Sequence, residues 1–200
     1  MDVNLNVSRE THERLEAFSA LVEKWTTKIN LISKASVPHL WNRHIIDSAQ
    51  VFDVAPKAGH WVDIGSGGGF PGIVIAILAQ GAVTPLKMTL IESDQRKCAF
   101  LRTAFRELSL DGTVICGRIE EVPPQSADIL SARALSDLSK LLEFADRHLD
   151  PKGVGLFPKG ESWQKEHAAA QANWTYHLEA VPSTTNSAAA VLKIKDINHV

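Results

Sequence analysis

The stretch Trp61-Val62-Asp63-Ile64-Gly65-Ser66-Gly67-Gly68-Gly69-Phe70-Pro71-Gly72 constrains this chain more than any other part of it. Residues of buried-strand character run into a loop that is mostly glycine, and a proline then opens a helix. Such a strand–loop–helix unit belongs to a parallel sheet with crossover helices. Glycines let the main chain turn with positive φ and let a ligand approach the backbone without meeting a Cβ. Gly67-x-Gly69-x-x-Gly72 satisfies the spacing of a dinucleotide-binding turn. The P-loop pattern is absent and no lysine lies in the loop, which argues against a triphosphate ligand. Asp63 ends the strand, where its carboxylate can meet a cationic or hydroxyl-rich ligand.

From His60 onward, short apolar runs alternate with helical patterns. Strands are expected near 60–64, 87–91, 113–116, 127–131, 153–158, 174–181 and 189–195, with helices near 71–80, 94–109, 136–149 and 161–171. This is an α/β, doubly wound, seven-stranded, mostly parallel sheet ending in a hairpin, with one antiparallel edge strand. Upstream, Leu15, Phe18, Val22, Trp25 and Ile29 mark an amphipathic helix capped by Ser8 or Thr11. A second helix follows Ser36, with Pro38 in its first turn, and carries Leu40, Trp41, Arg43, His44 and Asp47. Residues 1–55 are thus expected to form a helical cap on a Rossmann-like domain over 56–200, joined through the Pro56 to Gly59 turn, the whole being one compact unit.

With 200 residues and 44% hydrophobic content the chain can bury one sizeable core. Its longest apolar run, around Ile73 to Leu78, is far short of the roughly 20 residues of a membrane span, and Met1 to Asn4 lack the grammar of a signal peptide. A soluble, cytoplasmic protein is expected. The net charge of -2 is not that of a general nucleic-acid binder, so an RNA partner would need a local basic patch. Cys98 and Cys116 read as buried thiols, without C-x-x-C spacing or a histidine cluster, and no metal site is expected.

The next strand ends in Glu92, 23 positions after Gly69, where an acid in this fold accepts from both hydroxyls of an adenosine ribose. A nicotinamide cofactor and S-adenosylmethionine both carry that ribose. A pyrophosphate calls for an open helix N-terminus; the acid before this loop instead favours an ammonium and a cationic sulfur, hence S-adenosylmethionine. Gly65, Gly67 and Gly69 would give it backbone approach, and Phe70 a ring to cover cofactor or base. Arg133 follows the fourth strand, on the carboxyl edge, and can bond a guanine edge, a phosphate or the cofactor. Lys159 ends the fifth strand on the same edge and suits a phosphate, as do Arg96 and Lys97, while Arg102 and Arg106 read as a solvated face. Arg43, His44 and Asp47 form either a functional cluster or a structural one fixing the cap to the sheet. Trp25, Trp41, Trp163 and Trp174 read as core rather than as base-stacking residues.

Nearly the whole chain resembles the RsmG, or glucose-inhibited division protein B, family. The resemblance rests on Lys28-Ile29-Asn30-Leu31, Arg43-His44-Ile45-Ile46-Asp47-Ser48, the glycine loop through Phe70-Pro71-Gly72, Leu90-Ile91-Glu92-Ser93, Arg118-Ile119-Glu120-Glu121, Ser131 with Arg133-Ala134, and Pro158-Lys159-Gly160. It implies a class I methyltransferase that uses S-adenosylmethionine to methylate guanine N7 in the decoding region of 16S rRNA, with the 30S subunit as the expected substrate. By position it implies cofactor contacts at Gly65, Phe70, Glu92, Ile119, Glu120 and Arg133, with Ser93 beside them. Family members often carry an arginine before the last strand; this chain has Asn186-Ser187-Ala188-Ala189-Ala190 there. The rivals are a methyltransferase of another substrate, a non-catalytic assembly factor that binds S-adenosylmethionine, and a nicotinamide oxidoreductase, for which no Tyr-x-x-x-Lys is present.

Overall fold

In the computed structural model, which describes residues 5–57 and 59–200, the helix after the glycine loop explains the arrangement of everything on its side of the sheet. Helix α3 (Gly72–Gly81) is buried from Gly72 through Ala79. A helix apolar all round must be covered all round. One side lies on the sheet, and the other is covered by α1 (Arg9–Thr26) and α2 (Asp47–Asp53). Ser8 caps α1, accepting from the Thr11 backbone N–H, as its spacing predicts. The helix stops at Thr26, so Ile29 packs from the turn that follows. The reading of Met1 to Asn4, and Ala58 in the connecting turn, lie outside the described residues.

The second expected helix is three pieces. A 3-10 turn (Lys34–His39) contains Pro38, a π-helical stretch spans Trp41–Ile46, and α2 follows. Pro38 lacks the N–H that a longer α-helix would use. Five-residue spacing in the π stretch re-aims Arg43, His44 and Asp47, a distortion that clusters at functional sites.

Strands β1 (Gly59–Ile64), β2 (Leu86–Glu92), β3 (Thr113–Cys116), β4 (Ala127–Ser131) and β5 (Leu149–Lys159) are parallel, with β6 (Trp174–Pro182) and β7 (Ala190–His199) completing the order β3-β2-β1-β4-β5-β7-β6. Helices α4 (Gln95–Glu107), α5 (Leu138–His148) and α6 (Trp163–Ala170) are the remaining crossovers. The antiparallel strand is β7, and it is interior: it pairs with β5 on one side and β6 on the other. An antiparallel strand at the edge was expected. The α6 crossover carries β6 one place beyond β5, and the hairpin return fills the gap. Burial agrees, since Ala190, Val191, Leu192 and Ile194 are enclosed whereas β6 alternates. Chain order reverses between β1 and β4, which opens a crevice at their carboxyl ends.

Cys98 is buried, but Cys116 is exposed at the end of the short edge strand β3, a correction to its expected burial. Trp174 is buried, and Trp25, Trp41 and Trp163 pack against the two cores. Phe18 joins the cap to the rest: it is fully buried, with ring centroids 5.2 Å from Phe70 and 6.5 Å from Phe100. Phe18→Ala should therefore cost about 3–5 kcal/mol of unfolding free energy. The loss should appear in denaturant unfolding as one shifted transition, because the cap and one face of the sheet share a core.

Candidate active site

Two cavities open at the carboxyl edge on either side of the segment that leaves β4. The smaller, of about 420 Å³, is lined by Gly65, Gly67, Glu92, Ser93, Lys97, Ile119, Glu120, Leu135 and Ser136, among others. The larger, of about 580 Å³, is lined by His39, Asn42, Arg43, Asp47, Gln50, Arg133, Lys159, Thr185 and Asn186, among others. Ala134 is the one residue that lines both. Its φ of 51° lies in the left-handed region, which is sparsely populated for non-glycine residues and clusters at functional sites. The turn sends Arg133 into the larger cavity and Leu135 into the smaller.

The smaller cavity has a main-chain wall. Gly65 and Gly67 have φ of 63° and 52°. A Cβ on Gly65 would stand 2.6 Å from Leu135 Cδ1, whereas one on Gly67 would meet only the Gly65 carbonyl at 3.7 Å. Gly67 thus leaves open backbone for a ligand. Glu92 is buried and accepts from the backbone N–H of Gly67 at 2.9 Å and of Asp94 at 2.8 Å, one on each carboxylate oxygen. Each oxygen keeps a further lone pair, so the carboxylate can still accept a pair of hydroxyls. Cys98 Sγ donates to the Glu92 carbonyl at 3.1 Å, and burial pushes its thiol up to about 12, so it stays protonated. The volume and this donor and acceptor set fit an adenosine-bearing ligand.

Other expected contacts lie elsewhere. Asp63 is wholly buried beneath the loop and lines neither cavity. Trp61 Nε1 donates to Ser131 Oγ at 2.9 Å, and Ser131 donates to Asp63 Oδ1 at 2.6 Å, tying β1 to β4 at the crevice. Burial raises the Asp63 carboxyl to about 7 against the pull of Ser131. Phe70 is also buried, between Phe18 and His44, with centroids 5.2 and 4.9 Å away, so its ring braces the loop against the cap and faces neither cavity. Gly69 serves the same packing: a Cβ there would lie 2.8 Å from Ile73 Cγ1 and 3.0 Å from Phe18 Cζ.

In the larger cavity Arg133 is held by the Arg43 carbonyl, to which Nη2 donates, and by Asp47 Oδ2 at 3.8 Å. Its Nη1 is buried with no partner. His44 is neutral, its pKa lowered to about 4 by burial and then by Arg133 and Arg43. Asp47 also accepts from Thr185, and Gln50 donates to the Pro182 carbonyl and accepts from the Thr184 N–H, which latches the β6–β7 hairpin onto the cap. Lys159 is not a free ammonium: its Nζ is 2.6 Å from Glu166 Oε2 and donates to the Ser136 carbonyl at 2.7 Å, with the side chain 10% exposed. It staples the loop that carries Arg133 and Ala134. Arg96 pairs with its neighbour Asp94 at 3.1 Å, and Lys97 faces the smaller cavity.

Sequence reasoning missed Gln50, which lies one turn after Asp47, and Lys140 with Phe144 in the smaller cavity. The four-residue step from Lys140 to Phe144 on α5, where the ammonium sits 4.8 Å from the ring centroid, was the available signal. Among the described residues no cluster suited to a metal ion occurs, and no helix is long and apolar enough to cross a membrane.

The sheet order, the inserted antiparallel β7 and the glycine loop facing an acid at the end of β2 define the class I S-adenosylmethionine-dependent methyltransferase fold. A crystal structure of an MtNAS variant in complex with S-adenosylmethionine is similar in fold, with a TM-score of 0.60 at 14% identity over 92% of this chain and 75% of that one. A family model described as rRNA small subunit methyltransferase G matches residues 11–194. Two proteins of that name are close relatives. The one from Ruegeria sp. (strain TM1040) is 52% identical over 199 residues, covering 100% of this chain and 97% of its own. That from Ruegeria pomeroyi is 55% identical over 196 residues, covering 98% and 96%. The chain belongs to the rRNA small subunit methyltransferase G family.

The buried Asp63 makes stability depend on pH in a defined sense. Its folded value lies above the unfolded one, so between about 4 and 7 the folded state binds the extra proton and this group's contribution falls as pH rises. Asp63→Asn removes that titration. Unfolding free energies of variant minus wild type should climb from pH 4 to 7 and level off above it; a flat difference would place the carboxyl in its ordinary range.

Proposed function

We propose that the protein transfers the methyl group of S-adenosylmethionine to N7 of one guanine in the decoding region of 16S rRNA, on the 30S subunit in the cytoplasm. Family membership supports the substrate class. The observation that carries the chemistry is the pair of cavities that share Ala134 as a common wall residue, an arrangement that suits passing one small group between two separately held reactants.

S-adenosylmethionine supplies an electrophilic methyl on a cationic sulfur. Guanine N7 has a free in-plane lone pair, so no proton need leave before or during attack, and no general base is required. His44, neutral with a pKa near 4 and packed on Phe70, fits a site built for shape. What the chain contributes is alignment, which can be worth on the order of 7 to 11 kcal/mol. In this reading Glu92 accepts from the ribose hydroxyls, Ile119 and Glu120 border the adenine, and the Gly65–Gly67 main chain approaches the amino-acid part. Arg133, fixed by the Arg43 carbonyl and Asp47, donates to the guanine edge or an adjoining phosphate. Asp47 also offers negative charge near a purine that becomes cationic on methylation.

The decisive test is transfer of labelled methyl to 30S subunits that lack the modification, followed by nucleoside analysis. 7-Methylguanosine in 16S rRNA is the expected product; label at any other atom, or none, overturns the proposal. Glu92→Ala should raise the dissociation constant for S-adenosylmethionine about tenfold or more, measured by calorimetry, since hydrogen bonds to a charged group are worth about 1.5–3 kcal/mol each.

Ala134 supplies a sharper check on the two-cavity geometry. Asparagine tolerates the left-handed backbone but adds bulk at the junction, whereas glycine removes bulk and strain. Ala134→Asn should leave cofactor and subunit binding near wild type while kcat falls about a hundredfold, of the order expected for a small misplacement of reacting atoms. Ala134→Gly should stay active. Equal activity of the asparagine variant would mean that the methyl group does not pass there.

A further inference from the structure

Residues 24–46 form a run of 23 positions without a single Asp or Glu, although the chain as a whole holds 23 of them and carries a net charge of -2. The run contains Lys24, Lys28, Lys34 and Arg43. All four are exposed, and among the described residues none is in an ion pair. Of the cations lining the cavities outside this run, Arg133 lies 3.8 Å from Asp47, Lys140 pairs with Glu143 and Lys159 pairs with Glu166, while Lys97 and Arg118 line the smaller cavity, the one assigned above to the cofactor.

The run also lies along the active edge. The Leu31 carbonyl stands 3.1 Å from where a Cβ on Gly68 would be, so the segment touches the glycine loop. Farther on, His39, Asn42 and Arg43 line the larger cavity. Its apolar members Leu31, Ile32, Leu40, Ile45 and Ile46 are buried, which pins the backbone and leaves the charged side chains outward. No carboxylate interrupts the run itself; Glu23 and Asp47 flank it at its two ends, and Lys28 and Lys34 lie between them with no acidic residue in the intervening sequence.

Resting on the rRNA reading above, we propose that this run is a phosphate-docking track, on which Lys24, Lys28 and Lys34 hold the RNA backbone flanking the nucleotide that enters the larger cavity. Contacts to phosphate fix register and orientation without reading sequence. The track explains how a chain with net negative charge can engage RNA: four exposed cations with no acidic residue between them lie in one run that borders the glycine loop and the larger cavity.

The test compares two triple variants of equal charge change. Lys24→Gln/Lys28→Gln/Lys34→Gln removes the track. Lys87→Gln/Lys152→Gln/Lys195→Gln removes three exposed lysines toward the opposite edge of the sheet. Binding to 30S subunits is measured by filter retention across a salt series, and methyl transfer alongside it. For the track variant, affinity at physiological salt should fall about tenfold or more, and the slope of log affinity against log salt should shrink by about 2. KM for subunits should rise, while kcat and the dissociation constant for S-adenosylmethionine hold. The control variant should keep the wild-type slope.

An unchanged slope in the track variant overturns the proposal, and so does an equal loss in the control, which would mean that only overall charge matters. Weaker binding with an unchanged slope also overturns it, pointing to a non-ionic contact with a ribosomal protein. If wild type binds subunits but transfers no methyl, the methyltransferase reading fails while the salt slopes still decide the docking track.

Discussion

From Gly72 through Ala79, helix α3 offers water no polar face, and the rest of the molecule is arranged around that fact. Its residues from Gly72 through Ala79 are buried, and no sheet can cover more than one side of a helix. The amino-terminal helices therefore cannot be an optional appendage: α1 and α2 complete the enclosure, and Phe18 carries the contact on to Phe70 and Phe100. Because α3 begins at the end of the glycine loop, the same packing that buries it fixes the loop. Rigidity of the nucleotide-binding turn is thus a by-product of covering an apolar helix.

The cap then acquires a second role from where it is forced to lie. Its π-helical stretch arrives beside the segment leaving β4, so the Arg43 carbonyl and the Asp47 carboxylate meet the Arg133 guanidinium. From the other side, the β6–β7 hairpin is latched by Gln50, and Lys159 with Glu166 anchors the Ser136 carbonyl. Two of these polar networks, at Arg133 and at the Ser136 carbonyl, bracket Ala134, which holds a conformation it would not choose alone. Buried, nearly satisfied networks of this kind trade stability for a single geometry, which suits chemistry that depends on alignment rather than on an acid or base.

Much of this was legible in one dimension. Period-two and period-3.6 patterns located the strands and helices of the sheet domain, and the glycine loop with Glu92 at the next strand end located the smaller cavity. Legibility failed where a residue's surroundings come from distant chain. Asp63, Gly69 and Phe70 sit inside the motif and look like ligand contacts, yet the first is sealed by Ser131 and Trp61, and the other two by Phe18. Lys159 looks like a free cation until α6 brings Glu166 to it. The place of β7 depended on a competition between edge and interior that only the crossover length and its buried face resolve.

The sequence by itself determined the elements, the parallel sheet, the nucleotide-type turn and its acid, because these follow from local periodicity, backbone freedom at glycine and fixed spacing along the chain. It also held, in plain view, the acid-free run from Lys24 to Ile46. Only the tertiary structure decided which charged side chains are spent on one another and which remain free. That outcome depends on distances between residues far apart in sequence, Arg133 from Asp47 and Lys159 from Glu166, and on the burial that makes such pairings strong.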